Sequence, residues 1–265
     1  MTFIDWKQEC QRSGKHSTTT GNVKVISDFF MPQLERRRRI WVYLPPDYED
    51  GASRYPVLYM QDGQNLFDAA TSYVGEWQVD KTLDRLFYEK QVLSLIVVGI
   101  DNGEEKRFDE YIPEREGRAY ASFLAHTLKP FIDSHFRTLA GRDYTGVMGS
   151  SLGGLISLYL GAHYPHVFSK IGALSSSTHF SDEIFPDWKK TMPMKLYLDV
   201  GTAEMGDPSG AEAFVAAVRE NYHRLLEVGY DSEELKLVVD EGGRHHEEAW
   251  ARRLPEALQW LYGGD

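Results

Sequence analysis

A succession of short apolar runs, most followed by a stretch with helical spacing, constrains this chain more than any other feature. Residues 56–60 (PVLYM), 95–100 (LIVVGI), 144–148, 171–174, 195–200 and 235–239 are too short for core helices and stop at turn residues, so they read as buried strands. Helical apolar spacing fills 77–90, 120–136, 155–163, 211–228 and 247–262, with Gly229 placed as the C-cap of the fourth. Buried strands separated by helices imply an α/β chain with a mostly parallel central sheet and helices on both faces. The first two runs, 23–30 and 38–44, have no helix between them and predict an antiparallel start. No repeat or linker divides the chain, so residues 1–265 read as one domain, with a core over about 22–262 and residues 1–21 as an N-terminal extension. In such sheets the active residues lie in loops beyond the carboxyl ends of the strands.

Charge narrows the partners. With 29 Lys and Arg against 40 Asp and Glu, the formal charge is −11, which repels phosphate backbones and anionic lipid. Nucleic acid and membrane are therefore not expected, and a small-molecule substrate is. The one basic run, Arg36 to Arg39, leads into the apolar stretch Ile40-Trp41-Val42-Tyr43 and reads as the charged start of a strand. A single cysteine, Cys10, allows no intrachain disulfide, and the first residues lack the layout of a signal peptide. A cytoplasmic, soluble protein is the expectation. Nothing in the sequence fixes the oligomeric state.

Gly149-Ser150-Ser151-Leu152-Gly153 matches G-x-S-x-G, and only Ser151 has a glycine two residues away on each side. The motif follows an apolar strand and opens an apolar helix, the setting of a nucleophile elbow. Such a turn holds the serine in strained φ/ψ, while the helix N-terminus sets N–H groups beside a forming oxyanion. A serine hydroxyl needs a base, and the base an orienting acid, in the chain order Ser, acid, His.

Of the late histidines, His163, His166, His179 and His223 fall in or beside helices or in a Ser-rich loop. His245 and His246 follow a strand and Gly242-Gly243, just before the last helix, where the base belongs; His245 is preferred and His246 is the alternative. The acid should follow the strand 195–200, where Glu204 is preferred over Asp207, and Asp199 reads as structural. The oxyanion donors expected are the N–H groups of Leu152 and of Gln64, the latter turned by Asp62-Gly63. No third ligand with convincing spacing accompanies the histidine pair, so no metal and no cofactor is expected. Aromatic residues in the connecting loops, chiefly Trp77, Tyr111 and Trp188 with Phe108 and Phe180, are candidates for a cleft wall suited to an aryl group or a sugar ring.

Taken together, the segments RIWVYLPPDY, YPVLYMQDGQNLFD, LIVVGIDNG with EYIP, GVMGSSLGGLISLYLGAHYPHVFSKIGALSS, KLYLDVGTAE and HHEEAWARRLPEALQWL resemble the esterase family related to esterase D, enterochelin esterase and the feruloyl and acetyl-xylan esterases. The resemblance runs from about residue 39 to 261. It implies an α/β-hydrolase core with a minimal lid, Ser151 as nucleophile, Glu204 as acid, His245 as base, and an oxyanion contribution from the DGQNLFD loop. The expected activity is hydrolysis of small, aryl-linked or carbohydrate-linked carboxylic esters through an acyl-enzyme. Acyl transfer on the same triad, or a non-catalytic binding protein of the same fold, are the alternatives.

Overall fold

The computed structural model describes residues 2–186 and 188–264. Among the described residues nine strands form one sheet: β1 (Ile4–Asp5), β2 (Asn22–Met31), β3 (Arg36–Leu44), β4 (Val57–Gln61), β5 (Ile96–Ile100), β6 (Thr145–Ser150), β7 (Lys170–Leu174), β8 (Lys195–Gly201) and β9 (Leu235–Asp240). Their spatial order is β1-β2-β3-β5-β4-β6-β7-β8-β9. The first three strands and the β3–β5 pair are antiparallel, and every pair from β5 to β9 is parallel. Residues in β4, β5 and β6 are buried throughout, which is why they read as continuous apolar runs rather than alternating ones.

Two helical layers cover the sheet. On one face, α1 (Trp6–Ser13), α2 (Val79–Tyr88) and, at the other end of the chain, Glu247–Tyr262 pack Leu83, Leu86, Trp250, Leu254 and Leu258 against Leu58, Met60 and Val97. The opposite face carries α3 (Arg107–Tyr111), α4 (Arg118–Phe123), α5 (Lys129–His135), α6 (Leu152–His163) and α7 (Pro208–Val228), which bury Tyr120, Phe123, Leu155 and Phe214 over Tyr59, Val98 and Val147. The last helix, Glu247–Tyr262, is α8. The fold is that of the α/β-hydrolases, mostly parallel with helices on both sides, as the alternation of strand and helix predicts.

Two expectations need correction. Residues 2–21 of the expected N-terminal extension are built into the fold: β1 pairs with β2, and Trp6 of α1 meets Trp41 edge-on at 4.9 Å while its Nε1–H donates to Asp68 at 2.6 Å. The helix expected over 120–136 is instead α4 and α5 joined by a π-helical turn, Leu124–Leu128. Pro130 supplies the reason, since it brings no N–H to the i→i−4 ladder and its ring crowds the carbonyl one turn back.

The order reverses at β4, which leads to β5 on one side and to β6 on the other. A crevice opens at the carboxyl ends where such a sheet reverses. The loops after β4, β5, β6 and β9 all meet there.

Candidate active site

Ser151 stands alone between the last residue of β6 and the first of α6, with φ 57° and ψ −123°. That conformation is costly for a side chain with a Cβ and survives only where neighbours fix it. Here the Ser151 N–H donates to Leu174 O at 2.9 Å, and its carbonyl accepts from Leu155 and Ser177 N–H, each at 3.1 Å. Gly149 makes the turn sterically feasible, because a Cβ there would lie 2.6 Å from the Gly153 carbonyl carbon and 2.7 Å from Gln61 Cγ. The elbow projects Ser151 into a cavity of about 1000 Å³ whose lining includes Gln64, Trp77, Arg107, His245, His246 and Trp250.

The loop after β9 brings His245 to the same cavity. It is knitted to the loop after β8, since Ala203 N–H donates to Gly243 O at 2.8 Å and Thr202 N–H to Asp240 O at 3.0 Å. That stitching places Glu204 against His245, with Nδ1 to Oε2 at 2.7 Å. The other carboxylate oxygen accepts from Ser175 Oγ and from Gly201 N–H, both at 2.6 Å. Burial by itself would raise this carboxyl, but the bonds from His245, Ser175 and Gly201 outweigh it and hold Glu204 below the ordinary range. An ionised Glu204 accepts at both oxygens, so His245 carries its proton on Nδ1 and presents Nε2 as a proton acceptor. Edge-on contacts with Trp250 (5.0 Å) and Phe214 (5.5 Å) fix the plane of the ring.

Ser151 Oγ lies 3.2 Å from Ser177 Oγ and makes no hydrogen bond to His245 among the described residues. The N–H groups of Leu152 and Gln64 have no acceptor among the described residues, and Gln64 lines the cavity. Gly63 lets the Gln64 turn press on β5, since a Cβ there would sit 2.8 Å from the backbone of Gly99 and Ile100. Asp62, which precedes it, adopts a left-handed conformation (φ 56°) and is clamped by Arg107 through two bonds of 2.7 and 2.9 Å and by Asn102 at 2.7 Å.

The remaining candidates fall elsewhere. His246 caps α8, its Nδ1 accepting the Glu248 N–H at 3.2 Å, so it faces the cavity with no acid partner among the described residues. Asp207 is exposed and caps α7; the Gly210 N–H and Ser209 hydroxyl lower its carboxyl, and no histidine among the described residues bonds to it. Trp77 lines the cavity 5.9 Å from Trp250. Tyr111 does not form a wall: it is fully buried beneath Arg107, and its hydroxyl accepts the Asp62 N–H at 3.3 Å. Trp188 is likewise a packing residue, buried against Phe185 and donating to Tyr230 Oη at 3.3 Å. Both rings serve the layer behind the site: Tyr111 ends α3 and turns into the core, and the loop carrying Trp188 folds back onto the helices. Among the described residues no group of three His, Cys, Asp or Glu side chains could hold a metal ion, and no helix is long and apolar enough to cross a membrane.

Several site residues had no motif to reveal them. The Asp62–Arg107–Asn102 clamp joins three separate loops, and Ser177 sits in a run of serines that reads as a plain turn. Only the polar Gln-Asp-Gly at the end of a fully apolar strand hinted at the first.

Comparison with known proteins places this geometry in a family. The family model described as "Putative esterase" matches residues 32–261. The chain is 28% identical over 243 residues to the uncharacterized protein YbbA of Bacillus subtilis, covering 85% of this chain and 93% of that one. It is 27% identical over 249 residues to the endo-1,4-beta-xylanase/feruloyl esterase of Xylanibacter ruminicola, covering 91% of this chain but only 31% of that longer protein. The BES protein of Bacillus cereus has the same fold, with a TM-score of 0.74, 19% identity and coverage of 94% and 98%. The enterobactin esterase FES of Shigella flexneri superposes with a TM-score of 0.71 at 20% identity, covering 90% of this chain and 59% of its own. With most of its length matched, the chain belongs to the Putative esterase family and is a carboxylic ester hydrolase of the α/β-hydrolase fold.

Proposed function

We propose that Ser151, His245 and Glu204 form a catalytic triad that cleaves small aryl- or carbohydrate-linked carboxylic esters through an acyl-enzyme. The observation that carries this reading is the 2.7 Å bond from His245 Nδ1 to a buried carboxylate, in the cavity that also receives the strained Ser151. Rotation of the Ser151 side chain away from Ser177 directs its hydroxyl to His245 Nε2. The imidazole then takes the proton as Oγ attacks the ester carbonyl. Leu152 and Gln64 N–H, which have no other acceptor among the described residues, donate to the oxyanion. Glu204 holds the imidazole in the reacting tautomer and stabilises the imidazolium, which next protonates the departing alcohol. Water, activated by the same base, releases the acid.

The shape of the cavity supports the substrate class. Trp77 and Trp250, both largely buried, border the cavity with apolar atoms, while Arg39, Asp101, Asn102 and Glu247 line the rest with polar groups. Feruloyl esterase and enterobactin esterase activities among the relatives and neighbours agree with a ring-bearing ester. A panel of acetyl, butyryl, feruloyl and catecholate esters, with Ser151→Ala as blank, tests the reading. Turnover and fluorophosphonate labelling should both vanish in that variant; p-nitrophenyl acetate hydrolysis at the wild-type rate would refute the mechanism.

A further inference from the structure

We infer that Ser175 is a positioning residue of the active site, its hydroxyl holding the Glu204 carboxylate, and through it the His245 imidazole, in the reacting arrangement. The inference rests on the triad reading above and concerns a residue that touches neither nucleophile nor cavity. Ser175 is fully buried at the end of β7, and Ser151 and His245 both lie beyond its hydrogen-bonding reach.

A hydroxyl has one proton to give and two lone pairs to fill. Trp250 Nε1–H donates to Ser175 Oγ at 2.9 Å and Arg253 Nη2–H at 2.7 Å. Indole and guanidinium groups donate only, so they occupy both lone pairs. The single proton then has one destination, Glu204 Oε1 at 2.6 Å. The hydroxyl rotor, free in most serines, is thereby fixed, and its dipole points at the acid in a site where the dielectric is low.

The backbone supports the same conclusion. Ser175 has φ 44°, a left-handed value unusual outside glycine. Its N–H is held by both the carbonyl of Asp199 (3.0 Å) and that residue's Oδ1 (3.1 Å). Asp199 in turn lies 3.1 Å from Arg253 Nε. Strain kept in place by Asp199, itself braced by Arg253, marks a conformation the fold does not relax. Glu204 Oε1 has just two hydrogen-bond donors among the described residues, Ser175 Oγ and Gly201 N–H. Without the hydroxyl, Glu204 Oε1 keeps one hydrogen bond, from Gly201 N–H, and a longer ion pair with Arg253 Nη1 at 3.7 Å, so the carboxylate is held less firmly against His245.

The test compares Ser175→Ala, Ser175→Gly and Ser151→Ala in p-nitrophenyl acetate hydrolysis across about pH 5 to 9, with Tm measured for each. Both Ser175 variants should lower kcat by about 10- to 100-fold with KM within about twofold, the pattern of lost transition-state positioning. The acidic limb of kcat/KM should also move to higher pH, because a carboxylate with one donor fewer binds the imidazolium more tightly. The glycine variant relieves the left-handed strain, so a kinetic loss shared by a well-folded Ser175→Gly separates positioning from folding. Wild-type kcat and an unmoved acidic limb in folded Ser175→Gly, with Ser151→Ala inactive, would overturn this inference and leave the triad standing. Turnover retained in Ser151→Ala would overturn both.

Discussion

Replacing Glu204 by glutamine tests how much the buried carboxylate contributes to the chemistry. The carboxylate accepts three hydrogen bonds, two at Oε1 and one at Oε2. An amide has one accepting oxygen, so no orientation of the introduced side chain satisfies all three donors. With its oxygen toward Ser175 and Gly201, the NH2 group faces His245 Nδ1 and drives the proton to Nε2, where the ring cannot accept from Ser151. With its oxygen toward His245, the NH2 group faces two donors. In either case the negative charge is gone when the imidazolium forms. The 2.7 Å contact places the two charge centres about 4 Å apart, worth about 4 kcal/mol at an effective dielectric near 20. That corresponds to about a 10³-fold loss in kcat. KM should change little, because the carboxylate does not reach the cavity. Steady-state hydrolysis of p-nitrophenyl acetate from about pH 6 to 10, with Tm as a check on folding, reads the effect. A folded Glu204→Gln enzyme within about tenfold of wild-type kcat would refute the role of the acid and the argument from its charge.

Gly149→Ala should destabilise by about 1–3 kcal/mol in urea unfolding and abolish fluorophosphonate labelling, since the new Cβ meets the Gly153 backbone rather than a yielding side chain. Trp6→Ala should cost about 2 kcal/mol by losing the contact with Trp41 and the bond to Asp68, with kcat unchanged in the surviving fold. Asp199 gives a pH dependence of opposite sign to the usual carboxylate. Burial pushes it up to about 7 despite Arg253, so the folded state holds a proton that the unfolded chain releases near pH 4. Its contribution therefore favours folding at low pH and is lost as pH rises towards 7, whereas the depressed Glu204 contributes above its unfolded value and loses that contribution as pH falls. Asp199→Asn should flatten the stability profile between about pH 4 and 7; a profile with the wild-type slope there would contradict this assignment.

Much of the fold was legible because the central strands are buried on both faces and leave unbroken apolar runs. The elbow was legible too, because strand, small residues and helix follow one another in the sequence. The N-terminal segment was missed: β1 has two residues, and its helix buries little apart from Cys10. The π-helical turn was missed because Pro130 sits where a proline also suits the first turn of a helix. Tyr111 and Trp188 show that an aromatic residue outside a clear periodic run carries no direction in sequence; Tyr111 ends the short α3 and faces the core, and Trp188 faces wherever its loop closes. The support for Glu204 was invisible for another reason. Ser175, Trp250 and Arg253 are spread over some eighty positions, and each looks ordinary alone.

The three side chains of the proposed triad hang from β6, β8 and β9, each supplied by a separate crossover of the sheet. No contiguous piece of the polypeptide therefore holds the machinery. During synthesis, a ribosome-bound chain ending before β9 would display the serine on its bent backbone but have no imidazole to activate it. On the proposed triad, ester cleavage would begin only after β9 and α8 dock, which would make the onset of activity a report on completion of the sheet.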